Sequence, residues 1–216
     1  MTLLTVVFLL LGISLVLPWW TETQVGAGGD RSTQVYAPLT GVTGTCSPAC
    51  NTFGFGPPLG PIQGTKSFSS LGLNRTATLY FAGVGLVLVG LVGSALALLT
   101  LPLKPSSTPR PGRGRLHFLS LSFALLATSA ASAALAAFQP LAFRADSSAA
   151  FGPNDAWTAS PSPETSFWGS CASGPTNGIC ASGWSVSWGP DVGWYLITLA
   201  AIILVAIVLL RLRRPR

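Results

Sequence analysis

Four stretches of this chain, 3–17, 77–103, 116–143 and 192–210, contain no Asp, Glu, Lys or Arg. Crossing the roughly 30 Å hydrocarbon layer of a bilayer takes about 20 apolar residues in a helix. The second and third stretches exceed that length, and the fourth just meets it. The first meets it once Pro18, Trp19 and Trp20 are counted. Lipid tolerates only helices and closed barrels, and long apolar runs without alternation are helices. Composition agrees: 8% of the residues are charged, against about 25% in an ordinary soluble domain.

The first stretch reads as a membrane helix rather than a cleaved signal. MTLLTVV lacks the basic start of a signal peptide, and LVLPWWTET offers no small-residue cleavage pattern. The fold class expected is therefore an all-α membrane protein. It is a four-transmembrane-helix bundle carrying a small disulfide-stapled, β-containing extracellular cap. One domain, 1–216, holds helices at about 3–20, 77–103, 116–143 and 192–210, with outer loops at 21–76 and 144–191. A short loop (104–115) and a tail (211–216) lie on the other side.

Charge sets the expected orientation. Lys104, Arg110, Arg113, Arg115, Arg211, Arg213, Arg214 and Arg216 are eight of the twelve basic residues, and all flank the short loop or the tail. The six acidic residues fall in or beside the long loops. Lys and Arg accumulate on the cytoplasmic side, so both termini are expected to be cytoplasmic in a multi-pass cell-membrane protein. The net charge of +6 is thus a topology signal, and the basic segments are too short and juxtamembrane to suggest nucleic acid. The aromatic residues Trp19, Trp20, Tyr80, Phe81, Phe138, Trp194 and Tyr195 sit where interfacial rings are expected.

Small residues recur along two helices: Gly83, Gly90 and Ala97 on the second, and Ala124, Thr128, Ser132 and Ala136 on the third. Such stripes let helix backbones approach in lipid. They predict an intramolecular bundle, although the same spacing also serves self-association into an oligomer. No ionisable residue lies within the helices, which argues against a pump or proton-coupled transporter. His117, the lone histidine, lies at a helix boundary and cannot form a bis-histidine haem site within the chain. No P-loop, dinucleotide fingerprint or hydrolase motif is present, and no catalytic residue, metal ligand or cofactor is assigned.

The loops carry the rest. TSFWGSCASGPTNGICASGWSVSWG reads as a hairpin turning at GPTNG, with Trp184, Val186 and Trp188 alternating onto one strand face. These three are the candidate cap core, and partner contact is their rival role, since tryptophan is enriched at binding hot spots. STQVYA is a plausible short strand. Four cysteines, Cys46, Cys50, Cys171 and Cys180, fall in the two outer loops, where disulfides persist. The spacing favours the local bridges 46–50 and 171–180 among three pairings.

Four helices with two cysteines in each outer loop resemble the layout of bacterial quinone-dependent disulfide-forming oxidoreductases. That family uses Cys-x-x-Cys, whereas CSPAC is Cys-x-x-x-Cys, with no basic neighbour to activate a thiolate. More of the chain resembles the claudin and peripheral myelin protein superfamily. The resemblance is carried by the helix and loop order, by LPWW closing the first helix, and by the glycine-rich LYFAGVGLVLVGLVGSALALL. It implies adhesion or sealing through the outer loops. The leading expectation is a non-enzymatic membrane protein, acting as an adhesion, scaffold or accessory subunit that meets another membrane or extracytoplasmic protein as well as the lipid bilayer. The alternative is an outward-facing thiol–quinone oxidoreductase.

Overall fold

The computed structural model describes residues 2–26, 28–47, 62–100, 113–152, 162–172 and 184–213. It contains four helices, α1 (Thr2–Ser14), α2 (Asn74–Thr100), α3 (Arg113–Phe151) and α4 (Val192–Leu212). Six strands complete it: β1 (Trp20–Gly26), β2 (Arg31–Ala37), β3 (Gly41–Ser47), β4 (Gly64–Lys66), β5 (Gly169–Cys171) and β6 (Trp184–Pro190). All six form one antiparallel sheet in the order β4-β3-β2-β1-β6-β5. The cap is thus a continuous sheet drawn from both long loops, larger than the single hairpin and short strand that residue patterns suggest.

Helices α2, α3 and α4 are long and apolar enough to cross a membrane. They turn Leu88, Val92, Phe123, Leu126, Leu199 and Ile202 outward, an apolar surface that a bilayer covers without penalty. The chain is a multi-pass membrane protein. Helix α1 has 13 residues, about 20 Å at 1.5 Å per residue, and falls short of the span expected for 3–20. Pro18 explains part of the difference, because the residue before a proline is disfavoured in helical conformation. Helix α3 runs past the expected end at 143 to Phe151. Its 39 residues measure about 58 Å, so its last turns rise beside the sheet.

Helix α2 starts three residues before the expected boundary because a distant side chain caps it. The first amides of a helix need acceptors, and here Asp146 of α3 supplies them. Its carboxylate accepts from the Arg75 N–H at 2.8 Å, the Thr76 N–H at 2.9 Å and the Thr76 hydroxyl at 2.8 Å. A negative charge there also suits the helix dipole.

The aromatic residues at the sheet end divide in two. Phe81, Phe138 and Tyr195 are exposed, as interfacial rings should be. Trp19, Trp20 and Tyr80 are buried instead of lying in a headgroup belt. Trp19 stacks on Tyr80 with ring centroids 5.5 Å apart, and its indole N–H donates to the Ser14 carbonyl at 2.7 Å. A large ring can enter the bundle there because glycines face it. A methyl group at Gly83 would lie 2.7 Å from Trp19 Cζ3, and one at Gly193 would lie 2.5 Å from Cδ1. Further along α2, Gly90 faces Thr128 and Leu11, while Gly93 faces Ala124. The small-residue stripes are used inside one chain.

Gly83→Ala should therefore destabilise the protein by about 1–3 kcal/mol, the usual cost of overpacking. Gly85→Ala, with nothing within 4 Å of the added methyl, should be neutral or slightly stabilising. Thermal unfolding of both variants in mild detergent checks this, and equal melting temperatures would rule out the glycine–tryptophan packing.

Candidate functional site

The sheet carries a dense set of buried polar side chains. Alternation in β1 sends Trp20, Glu22 and Gln24 inward, and in β2 it sends Ser32, Gln34 and Tyr36 inward. Backbone register aligns them in rows. Trp188, Glu22, Gln34 and Gly44 form one row, and Val186, Gln24, Ser32 and Cys46 form the next. Nearest the helices, Trp20, Tyr36 and Phe143 of α3 pack as a ring triad with centroids 4.9–5.3 Å apart. This triad joins sheet to helix.

Glu22 is the chemically unusual group. Only 1% of it is exposed. Its Oε1 accepts a hydrogen bond from Gln24 Nε2 at 2.6 Å, while Oε2 has no hydrogen-bond partner among the described residues. Burial pushes its carboxyl up to about 7, with the Gln24 hydrogen bond opposing part of the rise. Burial first, and neighbouring Glu22 second, push the Tyr36 phenol above its ordinary range.

Val186 and Trp188 of β6 are buried at 3% and 5% exposure. Trp188 donates its indole N–H to the Ser166 carbonyl at 3.0 Å, and its ring lies against Gly169. Trp184 pairs with Gly26 at the far end of β6, and its side chain lies outside the described residues. Trp20 likewise donates to the Phe167 carbonyl at 2.9 Å, so the segment before β5 is tied to the sheet by two indoles.

Neither Cys46 nor Cys171 is a free thiol. They sit in the same row at opposite sides, in register through Ser32, Gln24 and Val186. Strands spaced about 4.8 Å apart put four intervals, or about 19 Å, between them, beyond the reach of one disulfide. Cys50 and Cys180 lie outside the described residues. Among the described residues no group of His, Cys, Asp and Glu is arranged to hold a metal ion.

Residue patterns did not single out Glu22, Gln24 or Asp146. The available signal was the period-two spacing of Trp20, Glu22 and Gln24, which marks a strand face regardless of polarity. No protein-family model, curated protein or solved structure matches the chain.

The raised Glu22 value fixes the sign of a pH dependence. Below about pH 4.5 the carboxyl is neutral folded or unfolded, and it costs nothing. Between 4.5 and about 7 the unfolded chain ionises while the folded one keeps its proton, so stability falls as pH rises. Above that the loss is complete, at about 3 kcal/mol. Glu22→Gln should remove this fall and stabilise the cap at pH 8. Unfolding midpoints measured from pH 4 to 8 check it, and an unchanged slope in the variant would assign the dependence elsewhere.

Proposed function

We propose that the protein is a non-enzymatic interaction protein whose cap presents a rigid surface to another membrane or extracytoplasmic protein, as an adhesion, scaffold or accessory subunit. The observation that carries this reading is the short link from α1 to β1, residues 15–19 pinned at Trp19, and the single-residue link from β6 to α4, with β1 and β6 paired along their whole length. Such a sheet cannot swing independently of the helices, and a fixed platform lowers the ordering cost of binding a partner. Its other face offers Thr21, Thr23, Thr33, Val35 and Thr43, a partly exposed surface with the exposed Arg31 at the end of β2 away from the helices.

In this reading α1 with the residues up to Trp19 makes a fourth crossing, and both termini are cytoplasmic. The sheet then lies outside the cell. The order of helix, four strands, two helices, two strands and helix also fits the layout implied by the resemblance to claudins and peripheral myelin proteins. That kinship belongs to the proposal.

The thiol–quinone alternative is less favoured by geometry. Cys46 lies five residues up β3 from its membrane-proximal start at Gly41, about 17 Å at 3.4 Å per residue. A quinone held in lipid would have to leave the bilayer to reach it. The proposal assigns local bridges, Cys46–Cys50 and Cys171–Cys180, as staples.

Replacing Cys171 and Cys180 together by Ser should lower unfolding stability by about 2–3 kcal/mol, the entropy of closing a ten-residue loop. The wild-type protein should show no quinone-dependent oxidation of a dithiol peptide. A folded double variant of unchanged stability that abolishes such oxidation would instead establish the oxidoreductase.

A further inference from the structure

Beside the joint between α4 and the sheet lies a cleft of about 620 Å³. It opens on the face of the sheet that points away from α3. Its floor is the outward row pair of β1 and β6, where Thr21 stands opposite Gly189 and Thr23 opposite Ser187. Trp168 forms one wall and Trp194 with Tyr195 the base. Two of these rings are unusually bare, Trp168 at 63% and Tyr195 at 56% exposure.

The rings are held in place. Phe167 packs edge-on to Trp168 with centroids 5.8 Å apart, and also contacts Trp194 at 5.4 Å. Trp194 contacts Tyr195 at 5.3 Å and donates its indole N–H to the Ser132 carbonyl at 3.1 Å. Gly189 leaves the space Trp168 needs, since a methyl there would lie 3.2 Å from Trp168 Cβ. Fixed aromatic faces of this kind bind without a large ordering cost.

The lining chooses among ligands. None of its described lining residues is charged, so a phosphate-bearing headgroup would lose water without gaining an opposite charge from them. Thr21 donates its hydroxyl to the Gln34 carbonyl at 3.2 Å, and Thr23 shares a 3.3 Å bond with Thr33. This leaves acceptor lone pairs toward the cleft, while a serine hydroxyl such as that of Ser187 can donate and accept. Aromatic faces offer broad apolar contact to the C–H face of a sugar ring. Directly below, Tyr195, Leu199 and Ile202 form an exposed stripe on α4, spaced along one helix face and turned toward lipid. We infer that this cleft binds the uncharged sugar head of a glycolipid, stacked on Trp168 and hydrogen-bonded to the β1 and β6 hydroxyls, with its acyl chains lying along α4. The cleft shares Thr21 and Thr23 with the face offered to a protein partner, and its ligand is measured without any partner present.

The full-length protein is reconstituted in phosphatidylcholine nanodiscs containing a minor share of a monoglycosyl-diacylglycerol, then released and weighed with its retained lipids by native mass spectrometry. The wild type should retain the glycolipid in preference to phosphatidylcholine. Trp168→Ala should weaken retention about tenfold, and Thr23→Val about threefold, on the scale of one lost ring contact or hydrogen bond. Leu126→Ala, on an exposed position of α3 outside the cleft, should retain it fully. The melting temperature of Trp168→Ala should match the wild type, since that ring is 63% exposed, and that of Thr23→Val should fall only by the one Thr33 hydrogen bond it loses. Equal retention of phosphatidylcholine, unchanged retention in both cleft variants, or complete displacement by a soluble methyl glycoside would overturn the assignment.

Discussion

Trp19 is the residue through which the membrane part and the sheet become one body. Its N–H donates to the Tyr36 carbonyl at 2.8 Å, and its own carbonyl accepts from the Asp191 N–H at 3.0 Å. The preceding carbonyl, of Pro18, accepts from the Gly193 N–H at 2.8 Å. Its ring closes the end of α1 through Ser14 and stacks on Tyr80 of α2. One residue thus touches the end of α1, the start of α4, strand β2 and helix α2. Because α1 and α4 continue into neighbouring strands, the sheet inherits its position from helix packing, and the helices inherit their relative height from strand register. Asp191 completes the joint by accepting the Val192 N–H at 2.6 Å and so capping α4.

Above that joint the packing changes character. The ring triad of Trp20, Tyr36 and Phe143 is apolar, but the next two rows contain Glu22, Gln24, Gln34 and Ser32, all buried. Burial of such groups favours structures in which they bond to one another, and the Glu22–Gln24 pair is an instance. Burial pushes the Glu22 carboxyl up to about 7, which makes the cap responsive to acidity. Asp146, also buried, differs in its partners, since three donors on α2 meet its carboxylate.

How much of this was legible follows from the physics of each signal. Long uncharged runs located the starts of all four helices to within three residues, because lipid leaves the backbone no other solution. The ends were less legible. Pro18 shortens α1, and Asp146 extends α2 through a contact 70 residues away in sequence, which no local pattern records. Strand β6 shows apolar alternation, whereas β1 hides the same alternation behind polar residues, since its inward set is Trp20, Glu22 and Gln24. Strand β3 contains Gly44 where Ile62 presses against the backbone, and a glycine inside a strand reads as a loop until its neighbour is known. The aromatic cleft was invisible for a similar reason. Trp168, Tyr195 and Thr21 are far apart in sequence and meet only because β1 and β6 are adjacent.

The central claim is that cap and bundle form one cooperative unit locked at Trp19. Amide hydrogen exchange on the full chain in nanodiscs tests it most directly, because exchange reports the free energy of local opening. The amides of Thr21 to Val25 and Ser185 to Trp188 should exchange as slowly as those of α4, and Trp19→Ala should accelerate the strands and the first turn of α4 together. Fast exchange of the sheet while α4 stays protected, in the wild type, would show that the cap opens independently and would contradict the account.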